Sequence, residues 1–179
     1  MNSFYTTQEL ATLGLKSYGK DVKISRFARL YAPEKIIIGD NVRIDDFCIL
    51  SGNIVIGSNI HISAYVALYG SMGIVLEDYT GISPMTTVYS AMDDFSGEYL
   101  IGPVHPEETT NVTGGMVVIK KYVQIGTHCV VFPNLTISEG CVIGACSLVR
   151  KSTDPWGIYY GIPASLHGSR KRDLLKYVQ

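Results

Sequence analysis

Aliphatic residues recur at every sixth position over most of the chain. Ile38, Ile44, Leu50, Ile56, Ile62 and Leu68 form one run, and Leu76, Ile82 and Val88 a second. Ile119, Ile125, Val131, Ile137, Ile143 and Val149 form a third, and a fainter run of Ile24, Leu30 and Ile36 precedes them all. A second apolar residue often follows four positions on, at Val42, Ile60, Val66, Val123, Leu135 and Cys141, and glycine follows directly at Gly39, Gly57, Gly126 and Gly144. Six is neither the period of an α-helix nor the alternation of an ordinary strand. It is the period of a chain that turns a corner after each short strand, three strands making one coil of roughly eighteen residues. The pattern predicts an all-β fold, a parallel β-helix in which each aliphatic side chain points into a prism and stacks on its equivalent one coil away. Glycine, asparagine and aspartate are expected at the corners, where positive φ costs them least. An antiparallel sandwich of short strands would not hold a six-residue register through 38–73 and again through 119–154.

The register slips by two at Ile36/Ile38 and at Ile74/Leu76, which reads as corner insertions. It breaks between Val88 and Ile119, where Asp93-Asp94-Phe95-Ser96-Gly97-Glu98-Tyr99, Ile101-Gly102-Pro103-Val104-His105-Pro106 and Gly114-Gly115 carry no apolar hexad. A loop of this length in a compact domain is functional when it is ordered. Thr6-Thr7-Gln8-Glu9 has the form of a capping box and predicts a short N-terminal helix, with Leu10, Leu13 and Leu15 covering the open end of the first coil. Gly161-Ile162-Pro163-Ala164 closes the last coil, and the basic segment from Arg170 to Tyr177 is expected as a tail with helical character. The chain is read as one domain, 1–179, with a cap over 1–20, coils over 22–92 and 117–164, an inserted loop over 93–116 and a tail over 165–179.

Composition narrows the function. Fifteen basic residues against sixteen acidic ones give a net charge of -1, which offers no purchase for nucleic acid or an anionic membrane. No apolar run is long enough to span a bilayer, and Met1-Asn2-Ser3-Phe4-Tyr5 lacks the features of a signal peptide, so a cytoplasmic location is expected. Cys48, Cys129, Cys141 and Cys146 have no metal-ligand spacing and are expected as thiols in a reducing compartment. No histidine pair has the spacing of a three-histidine zinc site, so no metal is expected.

The six-residue repeat, the interrupting loop and Gly161-Ile162-Pro163-Ala164 resemble the hexapeptide-repeat acyltransferases, which include maltose and galactoside O-acetyltransferases. The resemblance runs from about Ile24 to Ala164 and implies that the β-helix is left-handed, against the usual preference for right-handed crossovers. It further implies acetyl-CoA as co-substrate and a homotrimer with active sites between subunits. Within that group, Arg43-Ile44-Asp45-Asp46-Phe47-Cys48-Ile49-Leu50-Ser51-Gly52 is similar to N-acetyltransferases acting on dTDP-4-amino-4,6-dideoxyglucose (dTDP-viosamine). So are Ala67-Leu68-Tyr69-Gly70, Tyr89-Ser90-Ala91-Met92-Asp93-Asp94-Phe95-Ser96-Gly97 and Trp156-Gly157-Ile158-Tyr159. This similarity implies N-acetylation of a nucleotide-linked amino sugar for O-antigen or surface polysaccharide. The O-acetyltransferases carry a catalytic histidine where the strand before the loop ends; here that strand ends on Asp93-Asp94, and His105 lies deeper in the loop.

Acyl transfer needs an unprotonated nucleophile held against a thioester carbonyl in a site that excludes water. An alcohol needs a base to remove its proton, a task that suits histidine. A neutral amine is already a nucleophile, and a carboxylate can hold it and take up the proton it sheds. Asp93 is therefore the expected contact to the acceptor amine, with Asp94 shaping the loop or meeting the sugar. The alternative is O-acetylation of a galactoside or maltoside with His105 as base, and a third reading is a non-catalytic β-helix scaffold. Coenzyme A is expected on Gly126, Gly144, Ala145 and Ser147, where small residues allow close approach to the backbone, with Arg150 and Lys151 at its phosphates and Pro163 at its adenine end. Trp156 is placed either at that end or as packing in the closing turn. Asp45, Tyr65, Tyr69 and Tyr89 are the expected acceptor-side residues; tyrosine faces suit sugars and pyrimidines but also subunit interfaces.

Overall fold

The computed structural model describes residues 3–178; Met1, Asn2 and Gln179, the outer ends of the expected cap and tail, lie outside the described residues. Three ladders of short, almost entirely parallel strands wind around one core as a left-handed β-helix. The first face is built by Lys23–Ile24, Val42–Ile44, Ile60–Ile62, Gly81–Ile82, Gln124–Ile125, Val142–Ile143 and Gly157–Gly161. Two long strands, Ile49–Ile56 and Ala67–Leu76, run through the corner between the second and third faces. The second face adds Arg29–Tyr31, Thr87–Tyr89, Val130–Val131 and Leu148–Val149, and the third adds Ser17–Tyr18, Ile36–Ile38, Val117–Ile119 and Leu135–Ile137.

The registers are those of the six-residue pattern. Ile24, Ile44, Ile62, Ile82, Ile125 and Ile143 pair in series up the first face. Leu30, Leu50, Leu68, Val88, Val131 and Val149 do so up the second, and Ile38, Ile56, Leu76, Ile119 and Ile137 up the third. All but Leu30 are buried. Each such side chain is worth roughly 1.5–3 kcal/mol against exposure. Ile44 pairs with Ile62 and Ile62 with Ile82, so alternate coils hold two extra residues, while Ile82 pairs with Ile125, so the coil between them carries the long insertion.

The corners differ from the sequence expectation. Asp21, Asn41, Asn59, Asn134 and Gly140 do take positive φ, but so do Phe47, Tyr65, Tyr79, Met85, Tyr122, His128, Cys146 and Trp156. A left-handed residue costs roughly 1–2 kcal/mol, and stacking offsets it. The side chains project along the prism edges, so Phe47 lies on Tyr65 with ring centroids 4.9 Å apart and Tyr79 on Tyr122 at 5.5 Å, pairs worth about 0.5–1.5 kcal/mol beyond burial. Hydroxyls turned inward at the corners are satisfied locally: buried Thr86 donates to Gly126 O and accepts from Cys129 N.

Both ends of the prism are covered. Thr6 and Glu9 form a reciprocal capping box around the helix Thr7–Leu10, and Arg26 holds the Glu9 carboxyl down at about 2 by a bidentate pair. Leu10 is buried on the first coil, and Tyr5 N donates to Ile24 O. At the other end Gly161–Ala164 is the turn of a hairpin rather than a simple stop. Strand Gly157–Gly161 pairs antiparallel with Ala164–Ser169, through a cis Ile162–Pro163 bond, and a short 3-10 helix, Asp173–Tyr177, follows. Cys48, Cys129 and Cys141 are buried free thiols, with Cys48 pushed up to about 11 by desolvation, whereas Cys146 is exposed at a corner. No helix of the described residues is long and apolar enough to cross a membrane. Truncating the central rung, Ile62→Ala, is expected to cost roughly 2–5 kcal/mol because coils above and below cannot close the cavity; thermal and urea unfolding read the loss.

Candidate active site

The insertion leaves the corner after Tyr89 as a two-stranded arm. Ala91–Asp93 pairs antiparallel with Val112–Gly114, with Asp93 opposite Val112. Its root is fixed by Ser90, whose hydroxyl donates to Tyr69 O and accepts from Met72 N, and whose carbonyl accepts from Gly115 N. The two glycines that bring the chain back are required by space. A Cβ on Gly114 would lie 2.3 Å from Ser90 O, and one on Gly115 2.7 Å from Asn134 Oδ1.

Asp93 and Asp94 take different parts. The Asp94 carboxylate accepts from Ser96 N at 2.7 Å and from Asn111 Nδ2 at 2.9 Å, tying the outgoing limb of the loop to the returning one. Those bonds, the Ser96 amide first, hold its carboxyl below the usual range. Asp94 thus clamps the loop, the first of the two parts expected of it. Asp93, half-buried at the arm root, accepts only a long bond from Gly102 N at 3.4 Å, and its second oxygen has no hydrogen-bond partner among the described residues. His105 is exposed ahead of the turn Glu107–Thr109 and makes no hydrogen bond or ion pair with another described residue.

Tyr69 and Tyr89 sit beside this root. They are register partners with stacked rings 5.3 Å apart. Asp45 and Tyr65 do not join them. They lie at the corner between the first and second faces, where Phe27, Phe47 and Tyr65 stack in an exposed ridge. There Asp45 accepts from Arg43 Nε and from His61 Nε2, each at 2.7 Å. Burial would raise the Asp45 carboxyl, but the Arg43 and His61 bonds and charges outweigh it and hold it below the usual range. The sequence reading missed His61 and Arg43 as partners of Asp45. The coil register contains the signal, since Arg43 and His61 are aligned on adjacent rungs.

The coenzyme candidates divide. Gly126 N donates to Ile143 O and Gly144 N to Tyr159 O, both at 2.7 Å, so these amides belong to the coil ladder and cannot serve a pantetheine arm. Their missing side chains let coils approach: a Cβ on Gly126 would meet Ala145 N at 2.6 Å and one on Gly144 the Tyr160 Cβ at 2.8 Å. Ser147 is buried, with its hydroxyl donating to Gly144 O and accepting from Gly161 N. Ala145 is exposed at its corner. Trp156 is buried over Gly140, as packing in the closing turn requires. Arg150, Lys151, Pro163 and Ala164, by contrast, line one cleft of about 360 Å³, with Arg150 also over the Phe132 ring. Two cations and an apolar wall fit a phosphorylated nucleotide. Among the described residues no group of three or more histidine, cysteine or acidic side chains is placed to hold a metal.

Comparison with known proteins gives this geometry its context. No family model matches the chain. AntD, an N-acyltransferase from Bacillus cereus crystallised with dTDP and 3-hydroxybutyryl-CoA, is 51% identical with a TM-score of 0.97 over 99% of this chain and 95% of its own. A point mutant of AntD holds dTDP-4-amino-4,6-dideoxyglucose and coenzyme A. A galactoside acetyltransferase bound to coenzyme A shares the fold, at 20% identity and a TM-score of 0.62 over 94% of this chain and 72% of its own. The Escherichia coli enzyme dTDP-4-amino-4,6-dideoxy-D-glucose acyltransferase is 40% identical over 171 residues, 94% of this chain and 89% of that one. The protein is an acyltransferase that takes a coenzyme A thioester as co-substrate, and the chain belongs to the dTDP-4-amino-4,6-dideoxyglucose acyltransferase family.

Proposed function

We propose that the protein transfers an acyl group, acetyl in the simplest case, from coenzyme A to the 4-amino group of dTDP-4-amino-4,6-dideoxyglucose. The likeness to the E. coli enzyme over nearly the whole chain carries this reading. The site supports it, because the group at the arm root is a carboxylate with a free oxygen, not a histidine. The neutral amine attacks the thioester carbonyl, nitrogen becomes positive in the tetrahedral intermediate, and the coenzyme A thiolate leaves. The Asp93 carboxylate acts once the neutral amine has begun its attack. Its work is to accept a hydrogen bond from the amine and to take the proton as charge develops on nitrogen. Tyr69 and Tyr89 offer the sugar a stacked face at the same root. Arg150, Lys151 and Pro163 receive the nucleotide end of coenzyme A, and Ala145 lies exposed on the coil below the hairpin. On this reading the product serves O-antigen or other surface polysaccharide synthesis, and the enzyme works in the cytoplasm, where both substrates are made.

The same reading makes the working unit a homotrimer. In one protomer the acceptor-side residues are split between two corners, Asp45 and Tyr65 at one and Tyr69, Tyr89 and Asp93 at the next. A neighbouring prism that docks its Phe27–Phe47–Tyr65 ridge beside the arm reunites them. The free oxygen of Asp93 and the Asp45–His61 pair then face one substrate from two subunits.

Asp93→Asn is expected to lower kcat with the amino-sugar nucleotide by roughly 10²-fold while leaving KM for the acyl-CoA unchanged, and His105→Ala to leave turnover within about twofold. Free-thiol release with dTDP-4-amino-4,6-dideoxyglucose, lactose and maltose as acceptors checks both. Turnover on the glycosides alone, abolished by His105→Ala, would replace this reading with O-acetylation.

The assembly has its own signature. Light scattering should return three times the 19.6 kDa chain mass. Asp45→Ala and Asp93→Asn proteins, each impaired alone, should regain activity when refolded together, because some interfaces then receive both native residues. Mixtures that stay inactive would place the two aspartates in separate sites.

The Asp94 clamp has a defined pH dependence. A carboxyl depressed on folding contributes fully above its unfolded pKa near ~3.9 and loses its contribution as pH falls through the lower folded value. Amide exchange in the loop, corrected for intrinsic rate, is expected to stay slow down to about pH 4 and accelerate below it, whereas Asp94→Asn should exchange fast at neutral pH.

A further inference from the structure

We propose that Arg170 is a positioning residue for the acyl-CoA substrate, setting its KM from a distance by pinning the hairpin whose turn walls the coenzyme cleft. The inference rests on the reading of the Arg150–Lys151–Pro163–Ala164 cleft as the coenzyme site.

The hairpin is held unevenly along its length. At the turn Ala164 packs against the core and Gly161 N donates to the Ser147 hydroxyl, but every residue from 165 to 169 in the outer strand Ala164–Ser169 is exposed. Toward its open end the outer strand has its ladder to Gly157–Gly161, interrupted by a register shift beside Tyr159, and the stacking of His167 on Tyr160 within the hairpin. Arg170 follows at once and ties that open end to the prism. Its backbone N–H donates to Trp156 O at 2.7 Å. Its Nη1 donates to Tyr122 O at 2.6 Å and to Gly140 O at 3.1 Å, two carbonyls on successive coils. Both acceptors belong to left-handed corner residues. The guanidinium is half-buried with no carboxylate partner among the described residues. A cation placed on two carbonyls in this way is a structural clasp, not a reserve of charge for phosphate. Arg172 adds a second hold, 5.2 Å over the ring of Trp156, which is itself seated against Gly140.

The clasp holds one end of the hairpin, and Pro163 and Ala164 stand at the other, forming the cleft wall opposite Arg150 and Lys151. Releasing the clasp frees the open end, and the wall is then held only from the turn, so the ligand must order more of the hairpin when it binds. That ordering cost falls on coenzyme binding and leaves the acceptor amine and Asp93 untouched.

Steady-state kinetics on the purified enzyme, with each substrate varied at saturation of the other, tests this. Arg170→Ala is expected to raise KM for acyl-CoA by about fivefold or more, with kcat and KM for the sugar nucleotide within about twofold. Arg170→Lys, which retains one donor, should recover most of the loss, and amide exchange across 157–169 should accelerate in Arg170→Ala. Arg170→Gln, which keeps one carbonyl contact, carries the same comparison if the alanine variant does not fold. An Arg150→Ala/Lys151→Ala protein separates the two assumptions. If it raises KM for acyl-CoA and Arg170→Ala does not, the positioning role is overturned and the cleft stands. If neither changes KM, the cleft assignment falls, and the role of Arg170 with it. Equal losses toward both substrates in Arg170→Ala would also overturn the proposal.

Discussion

Each strand in this protein is two or three residues long over most of its faces, too short to stand without the coil beside it. The constraint that governs everything else is therefore coil-on-coil stacking. A backbone N–H finds its acceptor only one coil away, and the side chain between two such bonds must fill the prism at the same height as its neighbours. Ile44, Ile62 and Ile82 satisfy both demands at once. The spacing between coils is also what glycine protects. Gly126 and Gly144 lie where the next coil passes so closely that a methyl group would strike it. Their amides are likewise taken up in the coil ladder, a common outcome in repeat proteins, where every unit is also its neighbour's support.

A solenoid so constrained has little freedom to build a site within its walls, so chemistry goes where the constraint is relaxed. Corners can lengthen without disturbing the rungs: two residues are absorbed in alternate coils, and at one corner a whole arm is absorbed, with Val88 and Val131 still in register across it. The arm is then made rigid from its root. Ser90 binds three backbone groups, Gly114 and Gly115 return the chain, and Asp94 ties the two limbs together. A carboxylate occupied with two donors is well suited to holding a loop and poorly suited to accepting a proton. Its neighbour keeps one oxygen uncommitted, so adjacent residues of one chemical type differ by what surrounds them.

The fold was legible because its cause is periodic. The hexads from Ile38 to Leu68 and from Ile119 to Val149 locate the rungs, the slips at Ile36/Ile38 and Ile74/Leu76 locate the two-residue insertions, and Thr6 and Glu9 mark the cap. The corners were read less well. Propensity points to glycine and asparagine at positive φ, whereas Tyr65, Tyr79, Tyr122 and Trp156 are held there by the ring one coil away, a contact that no local rule contains. Side-chain partnerships across coils were not legible at all. Arg150, Lys151 and Pro163 converge on one cleft, yet the Asp45–His61 bond joins adjacent coils, and Arg170 reaches carbonyls of two coils at once. Such pairings become visible only when the chain is laid out by coil rather than by sequence number.

The same layout bears on why the acceptor is an amine. A histidine base must be oriented by a partner to favour one tautomer and one direction of proton transfer. The arm offers His105 no such partner, and its exposed position leaves it free to rotate. His61 does have a carboxylate beside it, but its ring is committed to Asp45 at a corner that carries no arm. Within one chain, an alcohol at the arm root would thus meet no histidine that a partner orients. An amine requires less of the protein: a carboxylate to hold it, aromatic faces to seat the sugar, and a coenzyme brought to a fixed distance by a wall that does not move. On the proposed reading the first two lie at the arm root, with Asp93 beside the stacked Tyr69 and Tyr89, and the third falls to the closing hairpin, which the last arginines tie back to the prism.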